Sequence, residues 1–168
     1  AKPGTELAAR ESTVGPDTIA AIFFTSGSTG APKGVITTQR MLSANQAAIT
    51  ILWPFLARDP PRLLDWLPWN HTFGGNDNFN KMIWHGGTLY IDDGRPTPEA
   101  IARTVANLKA VAPTIHINVP RGLELLLDAM ERDPLAREAF LGKLRLIFFA
   151  GAGMSRATWG RLRALVDG

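Results

Sequence analysis

Ten consecutive residues, Thr25-Ser26-Gly27-Ser28-Thr29-Gly30-Ala31-Pro32-Lys33-Gly34, concentrate the chemistry legible in this chain. They supply four hydroxyls, three glycines and one lysine, with no acidic side chain and no large apolar one. That mixture suits a polyanion. Glycines let backbone N–H groups approach phosphate oxygens, hydroxyls donate further hydrogen bonds, and Lys33 adds a point positive charge. Pro32 and Gly34 should keep the stretch out of regular structure. A polar turn between two strands would also be rich in glycine and hydroxyls, but this density around one lysine favours phosphate.

Two familiar phosphate motifs fail on register. A Walker loop needs lysine directly after its second glycine, followed by Ser or Thr. Here Lys33 precedes Gly34, comes three residues after Gly30, and is followed at one remove by Val35. A dinucleotide fingerprint could start at Gly151-Ala152-Gly153, yet its third small position is Arg156.

The elements that must position these residues alternate between strand and helix. Residues 1–18 read as a polar lead-in linker, and 19–24 as a buried strand, continuous, apolar and too short for a helix. A short strand at 35–38 follows the loop, then a helix over 40–57 with Met41, Leu42, Asn45, Ala48, Ile49 and Leu52 on one face. Pro54 marks its end. A strand at 62–67 runs into an aromatic, hydrogen-bonding loop at 68–76 that contains His71. A short helix over 77–85 is broken by Gly86-Gly87 before a strand at 88–91 and a turn at 92–96. Thr97 is expected to cap the next helix, with Pro98 at its first position and Ile101, Val105 and Leu108 inward. A strand at 114–119, helices opening at Pro120 and over 134–142, a strand at 144–149 and a helix capped by Ser155 complete the pattern. Such alternation predicts an α/β fold with a largely parallel sheet and helices on its faces. Binding crevices in such sheets form at the carboxyl ends of strands, so loops 25–34, 68–76 and 150–153 should converge.

The bulk composition narrows the function classes. At 168 residues, 45% hydrophobic and 20% charged, the chain has the make-up of one ordered domain. Its net charge of +3 is spread over 18 basic and 15 acidic residues without a basic block, which argues against nucleic acid. Zero cysteines exclude thiol catalysis and zinc–thiolate sites, and fit a cytoplasmic location. No apolar run has the length to span a bilayer, so no membrane partner is expected. The missing initiator Met and the end at Val166-Asp167-Gly168 read as an excised piece of something longer.

Three segments together resemble the adenylate-forming family, the acyl-CoA synthetases and their relatives. Thr25 to Gly34, continued by Val35, has the form of that family's phosphate loop. Leu67-Pro68-Trp69-Asn70-His71-Thr72-Phe73-Gly74 is similar to its next motif, and Phe149-Ala150-Gly151-Ala152-Gly153-Met154-Ser155 to the small-residue segment beside the adenine. The wording of 65–76 and 86–98 looks closest to feruloyl-CoA synthetases. The resemblance implies a partial AMP-binding domain over 19–168, from the large N-terminal domain of an acyl-CoA synthetase-like fold. It also implies a reaction in two steps: an acid and ATP give an acyl-adenylate and pyrophosphate, then CoA displaces AMP.

On the same footing, Thr25, Ser26, Gly27, Ser28, Thr29 and Gly30 would hold the phosphates with Lys33 assisting, and Thr29 would stand nearest Mg²⁺. His71 would lie by the acyl carboxylate. Phe73, Gly74 and Gly75, with Val119 and Gly122 as weaker candidates, would line the pocket of an aromatic carboxylic acid. Gly151, Ala152 and Gly153 would lie against the adenine. His85 and His116 have no such support and read as structural.

The family's glutamate motif, ribose-binding Asp and C-terminal lysine domain do not occur in the sequence, so the fragment alone is expected to be inactive without the remainder of its parent chain. Three other readings stay open: a non-catalytic nucleotide-binding module, an adenylation domain that loads a carrier protein, and a fatty acid–CoA ligase.

Overall fold

The computed structural model describes residues 4–25 and 32–167. Two pairs of parallel strands form its centre. β3 (Arg62–Asp65) pairs with β4 (Thr88–Ile91), and β5 (Ile115–Asn118) with β6 (Leu146–Phe149). The pairs meet where Thr114 N donates to Arg62 O at 3.0 Å and Arg62 N donates to Thr114 Oγ1 at 2.8 Å. Successive side chains of a strand point to opposite faces, and β3 uses both. Leu64 enters a core with Val105, Leu108, Leu126, Leu127, Phe140 and Leu162, whereas Leu63 enters a second core with Ile49, Leu56, Met82 and Ile115. A strand buried on both faces has no place for alternating polar residues, which is why Leu63 and Leu64, adjacent at its centre, are both apolar.

Helices cover the two faces as the alternation predicts. α2 (Gln39–Leu52) and α3 (Asn80–His85) contribute Ile49 and Met82 to the second core. α4 (Ile101–Val111), α5 (Pro120–Arg132), α6 (Pro134–Leu141) and α7 (Arg156–Asp167) pack on the first. Ser155 caps α7, its Oγ accepting from Thr158 N at 3.1 Å. Gly86 ends α3 at φ 64°, the left-handed conformation that glycine adopts without strain.

Several elements differ from their sequence expectation. The lead-in is not wholly irregular: α1 (Thr5–Glu11) lies within it, exposed, with Arg10 and Glu6 paired at 2.8 Å. β1 (Ile19–Thr25) is a strand but not a buried one, with Ile22 52% and Phe24 66% exposed. Its partner among the described residues is β2 (Lys33–Thr38), antiparallel, and the apolar faces of this hairpin stay largely uncovered. Residues 33 and 34 were expected outside regular structure, yet both are paired, Lys33 with Thr25 and Gly34 with Phe24. Cross-strand pairing overrides the local breakers there, because Pro32 stops short of the ladder.

The 40–57 helix divides at Trp53, and Pro54–Ala57 is a 3₁₀ turn. Its expected face is rotated: Met41 and Leu52 are exposed, while Gln46 and Ile49 are buried. Within the 68–76 loop the chain turns helical, with a π-helical stretch, Phe73–Phe79, leading into α3. Thr97 does not cap α4 with its side chain; its carbonyl accepts from Ala100 N and Ile101 N, and the helix begins at Ile101. Asp92 anchors that turn instead, accepting from Thr104 Oγ1 at 2.6 Å and Asn107 Nδ2 at 2.7 Å.

Candidate functional site

The hairpin register sets the mouth of the phosphate-type loop. Thr25 and Lys33 are cross-strand partners, and Thr25 Oγ1 donates to Lys33 O at 3.4 Å. Both side chains are exposed. A hydroxyl and a cation thus stand opposite one another where the loop leaves and rejoins the hairpin. Ser26, Gly27, Ser28, Thr29, Gly30 and Ala31 lie outside the described residues.

His71 occupies an exposed turn after β3. Its backbone N donates to Pro68 O at 3.1 Å, and its carbonyl accepts from Gly75 N at 2.9 Å. Phe73 N donates to His71 Nδ1 at 3.2 Å, so Nδ1 is the acceptor and Nε2 is the ring nitrogen left for a ligand. The next three candidates are fixed by packing. Phe73 meets Phe148 edge-on with centroids 6.2 Å apart and joins the second core. A Cβ on Gly74 would stand 2.6 Å from Pro68 O, and one on Gly75 2.2 Å from Trp69 O. Backbone-to-backbone approach therefore requires both glycines. The 69–80 segment faces β1 across an open cleft of about 440 Å³, lined among others by Phe24, Trp69, Asn70 and Phe79. An apolar recess between β6 and α7 is lined by Phe149, the first residue of the third motif, but by none of the candidate site residues.

The loops after β3, β5 and β6 are drawn together by Asn118, a residue that the sequence reading passed over. Its Oδ1 accepts from Trp66 Nε1 at 3.2 Å and from Val119 N at 2.8 Å. Its carbonyl accepts from Ala150 N at 3.3 Å. Gly122 is buried under the same side chain, since a Cβ there would lie 2.2 Å from Asn118 Oδ1. Val119 and Gly151 become neighbours, 3.6 Å apart by the same construction. Gly151 has φ 90°, which favours glycine, whereas Ala152 and Gly153 are exposed and nothing stands within 4 Å of a Cβ on Gly153. The one available signal for Asn118 was an amide at the end of an apolar strand, directly before Val119-Pro120.

Five polar residues beneath the His71 segment were missed as well. Asp65 ends β3, buried, and accepts from Leu67 N and Asn78 Nδ2, each at 3.0 Å. Burial raises its carboxyl, against those hydrogen bonds and the Lys81 charge. Lys81 has no exposed side-chain surface and donates to Asp77 Oδ2 at 2.8 Å. Burial lowers its ammonium, against the attraction of Asp77. Gln46 Nε2 reaches from α2 to Asn76 O at 3.3 Å and Asp77 O at 3.4 Å.

Both histidines read as structural are buried. His85 Nδ1 donates to Lys81 O, and its Nε2 lies 3.0 Å from Thr50 Oγ1. His116 Nε2 accepts from Asn118 Nδ2 at 3.2 Å, its Nδ1 is unpartnered, and its ring meets Phe140 edge-on. Burial pushes this imidazole from 6.5 down to about 4, with Asp92 pulling the other way. The unfolded chain therefore binds the proton at a higher pH than the folded one. Stability is complete above pH 6.5 and declines as the pH falls toward 4, by about 3 kcal/mol in all. Urea unfolding at about pH 7 and about pH 4.5 should show that loss in the wild type and a smaller one in His116→Phe. Equal losses would contradict the assignment.

Among the described residues no group of three or more His, Cys, Asp or Glu could hold a metal ion. They do not by themselves form an Mg²⁺ cage, and the metal-side candidate, Thr29, lies outside them. Nor is any of their helices long and apolar enough to cross a membrane.

Comparison with known proteins gives a consistent family. Residues 2–168 match the family described as AMP-binding enzyme. Anthranilate–CoA ligase of Pseudomonas aeruginosa is 36% identical over 143 residues, which are 83% of this chain and 25% of that protein. A malonyl-CoA ligase in a product complex with methylmalonyl-CoA and AMP superposes with a TM-score of 0.78 at 22% identity, over 93% of this chain and 32% of that one. ATP-bound MatB from Rhodopseudomonas palustris superposes with a TM-score of 0.70 at 26% identity, over 92% and 28%. The chain spans 3% to 25% of the length of the curated relatives it matches first.

Proposed function

Because the chain belongs to the family of AMP-binding enzymes, we propose that it is the nucleotide- and acid-gripping part of an ATP-dependent acid–thiol ligase. A carboxylate oxygen attacks the α-phosphorus of ATP, the bond to pyrophosphate breaks, and CoA sulfur then takes the acyl carbon while AMP leaves. The observation that carries this reading is the pairing of Thr25 with Lys33 at the mouth of a glycine- and hydroxyl-rich loop, with the His71 segment against the same hairpin.

Charge stabilisation and positioning dominate such a reaction. Lys33, Thr25, Ser26, Ser28, Thr29 and the N–H groups of Gly27 and Gly30 hold the β- and γ-phosphates. His71, its Nδ1 already engaged, offers Nε2 to the acid or its adenylate. Gly151, Ala152 and Gly153 leave room for a flat adenine ring. Mg²⁺, with Thr29 beside it, would neutralise triphosphate charge when bound.

For the substrate we propose an aromatic acid of the hydroxycinnamate class, such as ferulate, with Phe73, Gly74, Gly75, Val119 and Gly122 around its pocket. Support comes from the wording of 65–76 and 86–98 and from the likeness to a ligase named for anthranilate. A pyrophosphate-release screen of the full-length parent protein against ferulate, coumarate, caffeate, anthranilate and octanoate tests both levels. The expected result is preference for a hydroxycinnamate. Preference for octanoate would overturn the substrate class, and release with no acid would overturn the ligase.

A further inference from the structure

We propose that Lys81 is a positioning residue that locks the acid-side segment 66–76 from beneath, a role that rests on the ligase reading above. The segment is flanked by two carboxylates, Asp65 at the end of β3 and Asp77 in the π-helical stretch. The ammonium of Lys81 is bonded to Asp77 at 2.8 Å, and Asn78, next in the chain, donates to Asp65 at 3.0 Å, so the two ends of the segment are tied together beneath it. Lys81 Nζ lies 6.0 Å from the Trp53 ring, and its side chain has no exposed surface.

Replacing a buried ion pair whole by apolar groups of similar volume is often neutral or stabilising, whereas removing one partner leaves the other charge uncompensated and is destabilising. The Lys81–Asp77 pair as a whole therefore contributes geometry rather than stability. The surroundings are rich in acceptors. Gln46 Oε1, Asn76 Oδ1 and Asn78 Oδ1 are buried without partners, and with His116 Nδ1 they are all such atoms among the described residues. Lys81, bonded to Asp77, is the cation of this segment. Gln46, on the helix that follows the phosphate-side hairpin, clamps the same turn through two carbonyls. The π-helical stretch holds one residue more per turn than an α-helix would. Relaxing it to α geometry rotates what precedes it by roughly 100° and re-aims His71 and Phe73.

The test uses the full-length parent protein with ATP and ferulate, comparing wild type with Lys81→Met and, should that variant fold poorly, Asp77→Asn. Lys81→Met should raise KM for the acid by ~10-fold or more while KM for ATP stays within about two-fold. Amide hydrogen exchange should quicken ~10-fold over residues 71–79 and stay unchanged in α5. Asp77→Asn should show the same local exchange pattern. An even rise in exchange across the domain, or a lowered Tm with KM for the acid unchanged, would overturn the proposal. If the wild type releases no pyrophosphate with ferulate or any other acid, the ligase reading fails, and the exchange pattern still decides whether Lys81 locks the segment.

Discussion

Gly75→Ala is expected to destabilise the protein by about 3 kcal/mol or more and to dislodge the His71 segment. The added Cβ would lie 2.2 Å from Trp69 O and 3.1 Å from both Trp69 C and Phe23 Cε1. The first contact is with a backbone carbonyl, which cannot swing aside as a side-chain end can. Relief requires the π-helical stretch to move away from 67–69, and that breaks the Gly75 N to His71 O hydrogen bond. Gly160 supplies the control. It sits in α7 with nothing within 4 Å of a Cβ, so alanine there should be neutral or stabilise by up to ~1 kcal/mol. Urea midpoints of the two variants test the contrast. A Gly75→Ala protein as stable as wild type would mean that the segment packs differently.

Lys33→Met should lower ATP–pyrophosphate exchange in the full-length protein by about 10²-fold while leaving Tm close to that of wild type. Lys33 is exposed, and its link to Thr25 runs through the strand ladder and its own carbonyl. Methionine retains all of that, so the hairpin should survive. What it removes is the positive charge opposite the Thr25 hydroxyl, at the place where phosphoryl charge would develop. Exchange within a few-fold of wild type would show that the hydroxyls and N–H groups grip the phosphates without it.

The local order of strands and helices was written in the sequence because its causes are local. Pro60-Pro61 and Pro68 bracket β3, Gly86 stops α3, Ser155 starts α7, and Leu123, Leu126, Leu127 and Met130 recur at the helical period. The 25–34 loop stood out as a candidate for the same reason, since its composition suits phosphate. His71 stood out through its neighbours, the Leu67-Pro68 pair and the aromatic residues around it.

Tertiary structure decided the rest, where the cause lies in residues far apart in the chain. Only the hairpin register sets Thr25 against Lys33. An apolar run such as 19–24 specifies a strand but not what covers it, and Phe24 stays exposed. Thr97 looked like a cap until Asp92 took hold of α4. Asn118 gains its importance from Trp66, 52 residues away. Nothing in the sequence singles out Lys81 within the 77–85 helix. Burial beside Trp53 makes it costly to keep charged, a cost that the bonded Asp77 opposes, and therefore informative.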